Sequence, residues 1–429
     1  LERIFKFKYG LNSIDLKLPQ SKLIKEIKGR QDHKNDLISL TKNALENPIE
    51  SPKLSQIVKQ GEKVTIVISD ITRGWQKSNL FLPFIIGELE EAGIELADIT
   101  ILAAVGSHRF HSEAEKQTLI GEKYYGKVAF KDHNCHNKDE LSYLGKTSFG
   151  TPVYFNRLAV ESDRLILTGG IVFHDLAGFS GGRKSLLPGI AGYQTITKNH
   201  ALSLADKRGE GLKKSVDSNH LVDNPVHLDM AEAAALVKVD FIFNVIPDGR
   251  GGIAAAVAGD LIAAHQSGCE ITSRLFGIKM RQKAELVFAS CGGYPKDINL
   301  YQASKALVNA AQLVQKGGYL ILFAECKEGI GHPEVEDIIQ NYNDNLARED
   351  FLRRDFTISR YTGYLITTAI AEIKLILFSN IERKILSNTE IEVIRTKADL
   401  NKILTNRFKE LPDFYSLPDA ANTLPIFED

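Results

Sequence analysis

The stretch His174–His200, HDLAGFSGGRKSLLPGIAGYQTITKNH, gathers more residue types able to do chemistry than any other part of the chain. Gly178, Gly181 and Gly182 are followed at once by Arg183 and Lys184, and His174 and His200 stand at the two ends. Glycines carry no Cβ, so their backbone N–H groups can crowd around an anion. Lys184 can neutralise a phosphate or, once deprotonated, act as a nucleophile. The flanking histidines suit a metal ligand or an acid/base pair. A Walker-type phosphate loop does not fit: Arg183, not lysine, follows Gly182, and Pro188 interrupts the helix that such a loop needs. Plain turn glycines are the ordinary alternative. A basic pair inside the cluster argues instead for a ligand-binding loop.

The apolar runs VTIVIS (Val64 to Ser69), ITILAAVG (Ile99 to Gly106), RLILTGGIV (Arg164 to Val172) and FIFNVIP (Phe241 to Pro247) read as buried strands. Asp70 and Arg73, then His108 and Arg109, then His174 each follow the C-terminal end of one of them. That edge of an open α/β sheet is where ligands bind. Between the strands lie helical patterns: a polar one over 35–60, FLPFIIGELEEAG with Pro83 near its first turn, one capped by Ser112 with Glu115, and one around Met230 to Val237. Residues 1–20 read as a β-hairpin. Alternation restarts with ELVFAS (Glu285 to Ser290), GYLILFAE (Gly318 to Glu325), KLILFSN and EIEVIRT. The helix after GGYPKD places Tyr301, Gln302 and Lys305 on one face. The fold class expected is α/β, with two α/β domains and mainly parallel sheets. The larger N-terminal domain takes residues 1–270, a linker helix 271–284, and a smaller C-terminal domain 285–407.

Composition excludes several classes. The 429 residues are 43% hydrophobic and 25% charged, ordinary for a globular enzyme. A net charge of −1 implies no general affinity for nucleic acid or anionic membranes. Cys135, Cys269, Cys291 and Cys326 form no CxxC pair, so reduced thiols are expected rather than a disulfide framework or zinc site. The start LERIFKFKYG lacks the apolar core of a signal peptide, and no apolar run reaches membrane-span length. A cytoplasmic location is the expectation.

The glycine stretch resembles the signature of the nickel-pincer lactate racemases: a histidine, two variable residues, AGFSGGRKS, a short apolar pair, PGIA and a later histidine. Residues Ala177 through Ser185 and Pro188 to Ala191 carry the match. Asp70-Ile71-Thr72-Arg73 resembles that family's Asp-x-Thr-Arg block, Gly106-Ser107-His108-Arg109 its Gly-x-His-Arg, and Tyr301-Gln302 with Lys305 its Tyr-Gln-x-x-Lys. The resemblance implies a 2-hydroxy acid racemase or epimerase using a pyridinium mononucleotide with two sulfur arms and a carbon–nickel bond. By motif position Lys184 is its covalent tether and His200 the nickel ligand. Asp70, Ser180, Gly181 and Gly182 would face the cofactor. His108 and His174 would be the acid/base pair, and Arg73, Tyr301, Gln302 and Lys305 would meet the substrate. Cofactor-synthesis enzymes are the implied partners. The active site would lie in the cleft between the domains, with the tail 408–429, Pro-rich and irregular by sequence, packed back on the first.

Two departures bear on the substrate. Asp175 and Leu176 follow His174 where lactate-active relatives have aromatic residues, and Tyr361 or Thr362 stands near the place of a pocket tryptophan. A longer or hydroxylated 2-hydroxy acid is therefore expected beside lactate, with malate disfavoured by Asp175. A metallohydrolase using His108, His174 and His200 around a metal, or a non-catalytic nucleotide- or metal-binding protein, are the alternatives. His111, His133 and His136 are expected to be surface loop histidines.

Overall fold

The apolar runs of the first half form a six-stranded sheet, in a computed structural model that describes residues 1–29 and 36–427. Its order is Ile253–Gly259, Phe241–Pro247, Arg164–Gly170, Val64–Ser69, Ile99–Ala104 and Ala129–Asp132. All neighbours run parallel except the Ile253–Gly259 edge, which is antiparallel to its partner. The Val64–Ser69 strand is buried on both faces, which is why its sequence is continuously apolar rather than alternating. The helix Ser78–Glu91 buries Phe81, Leu82, Ile85, Ile86 and Leu89 in the core that holds Ile66, Ile68, Ile101 and Phe243. Phe81 and Phe243 meet with ring centroids 4.9 Å apart. Each such side chain, fully buried, contributes about 1.5–3 kcal/mol. The helix starts at Ser78, which puts Pro83 at the start of its second turn, next to the first as expected. Of the expected polar helix over 35–60, the structure has Leu37–Glu46 and the short Leu54–Ile57, and residue 35 lies outside the described residues.

This sheet belongs to one of two units, made of residues 31–203 and 213–275; the other takes 1–30, 204–212 and 276–429. The second unit has its own six-stranded parallel sheet: Glu392–Ile394, Lys374–Phe378, Val314–Phe323, Ala284–Ser290, Phe414–Leu417 and Leu23–Glu26. The hairpin Glu2–Tyr9 with Asn12–Pro19 lays Phe5, Phe7, Leu16 and Leu18 on it, Phe7 stacking on Phe323 at 4.8 Å.

Three expectations need correction. The hairpin and the tail, expected with residues 1–270, both belong to the second unit. The tail is not irregular: Phe414–Leu417 is fully buried between two strands of that sheet, and Leu424–Phe427 pairs with Gly277–Met280. The linker helix 271–284 is likewise replaced. Helix Ala263–Phe276 stops at Phe276, and the next residues are that Gly277–Met280 strand. Residues 204–212 also sit in the second unit, where Glu349 accepts from the Gly209 and Gly211 amides and Arg208 pairs with Asp350. Among the described residues no helix is long and apolar enough to cross a membrane.

Candidate active site

Three adjacent parallel strands of the first unit deliver the candidate residues at their C-terminal ends. Val64–Ser69 ends in Asp70, which caps the 3-10 turn Ile71–Gln76 by accepting from the Thr72 amide. The neighbouring strand Ile99–Ala104 leads to His108, whose Nδ1 lies 2.5 Å from Asp70 Oδ2. A carboxylate only accepts, so Nδ1 carries a proton, and in the neutral ring Nε2 has the lone pair. Burial works to raise the Asp70 carboxyl, but His108, Arg73 and Thr72 outweigh it and hold it down at about 2. Arg73 Nη1 is 3.5 Å from the same carboxylate, with nearly half of its side chain open to solvent. His108 also lines an open depression of about 300 Å³ with Phe110, Asn134, Cys135 and His136.

Arg164–Gly170, on the other side of the Val64–Ser69 strand, leads to His174. Its Nε2 is 2.9 Å from Lys184 Nζ, and its Nδ1 faces the Leu176 amide at 3.2 Å. The glycine loop brings Lys184 there by close packing. Gly181 and Gly182 have φ of +76° and +52°, and a Cβ on Gly181 would lie 2.3 Å from Asn244 Oδ1. Asn244 Oδ1 accepts from the Gly182 amide, and the Ser180 hydroxyl donates to Gly170 O. Arg183 is buried: it donates to Ala177 O and lies 3.0 Å from His265 Nε2. The Ser180, Gly182 and Arg183 side of the loop is thus bonded to the protein, and Lys184 is the residue it presents.

His200 lies in the last turn of helix Tyr193–Ala201 and is buried. Its Nδ1 donates to Ile196 O at 2.9 Å, which leaves the Nε2 lone pair for a metal. Burial, reinforced by the nearby Lys184 charge, keeps the ring neutral, with its pKa down at about 3. This donor fits a metal that brings its other ligands with it. Among the described residues no group of three or more His, Cys, Asp or Glu is placed to hold a metal ion, so the three-histidine arrangement is not assembled.

Residues 9–211 match the family model for the lactate racemase N-terminal domain, and residues 279–407 that for the C-terminal domain. The chain is 31% identical over 362 residues to a lactate racemase of Lactiplantibacillus plantarum, covering 82% of each chain. The chain belongs to the lactate racemase family. It is thereby an isomerase of the racemase class. A lactate racemase of Thermoanaerobacterium thermosaccharolyticum is 36% identical over 293 residues, 68% of this chain and 66% of that protein. The solved apoprotein of lactate racemase from that organism matches with a TM-score of 0.88 at 27% identity, over 100% of both chains. A crystal structure of a Thermotoga maritima protein, 20% identical with a TM-score of 0.66 over 92% of this chain and 100% of that one, shares the fold.

Within the family frame, Asp70, Arg73 and His108 form one group and His174, Lys184 and His200 another, both in the first unit. Tyr301, Gln302 and Lys305 start the helix Leu300–Ala311 of the second unit, with Gln302 and Lys305 exposed and the Tyr301 ring 5.8 Å from that of His332. Asp70, expected on the cofactor, contacts His108. Leu176 and Tyr361, expected to line the substrate pocket, are each 1% exposed and serve as core. Asp175 remains partly open, 3.3 Å from His174 Nδ1. His111 and His133 are buried rather than superficial, His133 between Ala191 O and the Asn156 amide; His136 is exposed. Asn244 and His265 escaped the sequence reading, although an asparagine inside the apolar run FIFNVIP was a usable signal.

Proposed function

We propose that this chain interconverts the stereoisomers of a 2-hydroxy acid, lactate or a related longer acid, with His108 and His174 as the proton-transfer pair. The observation that carries the reading is the grouping of Lys184 Nζ, 2.9 Å from His174 Nε2, with a buried neutral His200. The C–H beside the hydroxyl is too weakly acidic for two plain bases. When bound, a nickel-pincer pyridinium nucleotide supplies a hydride acceptor and donor, with Lys184 as thioamide tether and His200 as nickel ligand. Acylation of Lys184 removes its positive charge from beside both histidines. His108 would then take the hydroxyl proton from one enantiomer and His174 would give a proton to the same oxygen as the other enantiomer forms, the two roles reversing in the opposite direction. Imidazole, with an ordinary pKa of about 6.5, works in either direction near neutral pH. Arg73 suits the substrate carboxylate, which a guanidinium can grip with two hydrogen bonds. Tyr301, Gln302 and Lys305 carry the substrate role that the resemblance assigns them. Asp175 beside His174 disfavours a second carboxylate, so a neutral or hydroxylated chain is preferred to malate.

The test is the full chain made together with the cofactor-synthesis enzymes. Intact mass should show an adduct on Lys184, metal analysis should show nickel, and chiral chromatography should show inversion across a panel of 2-hydroxy acids. Lys184→Ala should fold, gain no mass and turn nothing over. Full activity in that variant would end the tether reading.

A further inference from the structure

We propose that His111 and Asp132 are positioning residues for His108, acting through the turn that carries Asp70. The backbone N–H of Ile71 opens the 3-10 turn and has no acceptor inside it. It donates instead to His111 Nε2 at 3.0 Å. An amide N–H can only donate, so Nε2 holds the lone pair and the ring proton sits on Nδ1. That proton points to Asp132 Oδ1 at 2.5 Å, while Asp132 Oδ2 accepts from the His111 backbone amide at 3.2 Å. Asp132 ends the edge strand Ala129–Asp132, and the His111 side chain is 1% exposed. A rigid strand end therefore fixes a histidine, and the histidine fixes the amide next to Asp70.

Asp70 is the residue that selects the His108 tautomer. Its carboxylate accepts from His108 Nδ1 and from Thr72, and its own backbone carbonyl accepts from the Arg73 amide. The chain of contacts runs from Asp132 through His111 and Ile71 to Asp70 and His108. Release of the Ile71 amide lets the turn move, and His108 Nδ1 loses a fixed acceptor. The ring can then place its proton on Nε2, the nitrogen that has to act as base. The turnover part of this inference rests on the racemase reading; the tautomer part does not.

Two substitutions at one position separate the roles. His111→Asn keeps an amide N–H near the Nδ1 position for Asp132 but offers Ile71 no acceptor. His111→Gln carries a carbonyl oxygen near the place of Nε2 and can still receive the Ile71 amide. The readouts are histidine ring ¹⁵N NMR on the full chain, apo and folded by circular dichroism, and steady-state kinetics on cofactor-loaded protein. The parent and His111→Gln should show His108 as the Nδ1–H tautomer. His111→Asn should show the two tautomers averaged, with kcat down about 10- to 100-fold and KM changed little. An unaltered His108 signal in His111→Asn overturns the proposal, and so does a folded His111→Gln that loses it. If the signals behave as expected but the loaded parent turns over no 2-hydroxy acid, the racemase reading fails and the positioning role stands.

Discussion

Replacing Asp70 with asparagine removes one charge and one acceptor from the contact that holds His108. Asp70 is 4% exposed and its carboxyl sits at about 2 instead of the ordinary 3.8. That difference is worth about 2.5 kcal/mol of folding stability at neutral pH. Because the folded-state value is the lower one, the contribution is complete above pH 3.8 and is lost as the pH falls through about 2. Asp70→Asn should therefore unfold in less urea than the parent at pH 7. The gap should narrow from about pH 4 downward, followed to the lowest pH at which both unfold cooperatively. Asparagine can also turn an N–H toward His108 Nδ1, which forces the ring proton onto Nε2 and removes the lone pair that the proposed base needs. A wrong tautomer of this kind lowers kcat by as much as about 10⁴-fold, with KM less affected. A stability gap that is flat from pH 7 into the acid range, or turnover close to the parent's, would refute the reasoning.

Gly181→Ala must place a Cβ 2.3 Å from Asn244 Oδ1 and 2.6 Å from Ile171 Cγ1 at a φ of +76°. It should lower apo stability by about 1–3 kcal/mol in thermal melts, and an unchanged melting temperature would show that the loop repacks freely. His200→Ala should lower the nickel content per chain while the mass adduct on Lys184 persists. Equal nickel loss in His108→Ala and His174→Ala would point to a shared metal site instead. Asp175→Asn should raise turnover of a dicarboxylic 2-hydroxy acid relative to lactate in a competition assay read by chiral chromatography; no change in that ratio would remove Asp175 from the specificity argument.

What the sequence disclosed follows from which forces act locally. Strands such as VTIVIS announce themselves because both faces are buried, and the residues just past them are then placed by sheet topology alone. The same logic located Asp70, His108 and His174 at one edge. Contacts made across long sequence separations left no such trace. Asp70 pairs with a histidine 38 residues away, and the amide after it with His111, 40 residues away. The short strands Ala129–Asp132 and Phe414–Leu417 carry little periodicity, so the residues around His133 looked like surface loop and the tail like coil. The motif glycines suggested room for a ligand. The structure shows that Gly181 and Gly182 are needed first for the approach of Asn244 and His265.

The two histidines proposed as the acid/base pair stand in unlike surroundings, and that bears on the nature of the substrate. His108 is held by the buried Asp70 carboxylate at 2.5 Å, whereas His174 meets a backbone amide, the Lys184 amine and, at 3.3 Å, the partly open Asp175. Unlike half-sites bind the two stereoisomers unequally and turn them over at unequal rates. Enantiomers have equal free energies in water, however, so kcat/KM must be the same in both directions whatever residues surround them. Any difference in kcat between lactate enantiomers must then be matched by the same difference in KM, and Arg73 or Asp175 variants must preserve the equality. A substrate with a second stereocentre is freed from this constraint, because its two forms are diastereomers of different free energy. Kinetics of the preferred acid in both directions, with the final ratio of isomers, therefore separates the cases without a structure. A final ratio of one identifies a single stereocentre, as in lactate. A ratio that stays away from one in the parent and in every active variant identifies a longer hydroxylated acid and makes the reaction an epimerisation.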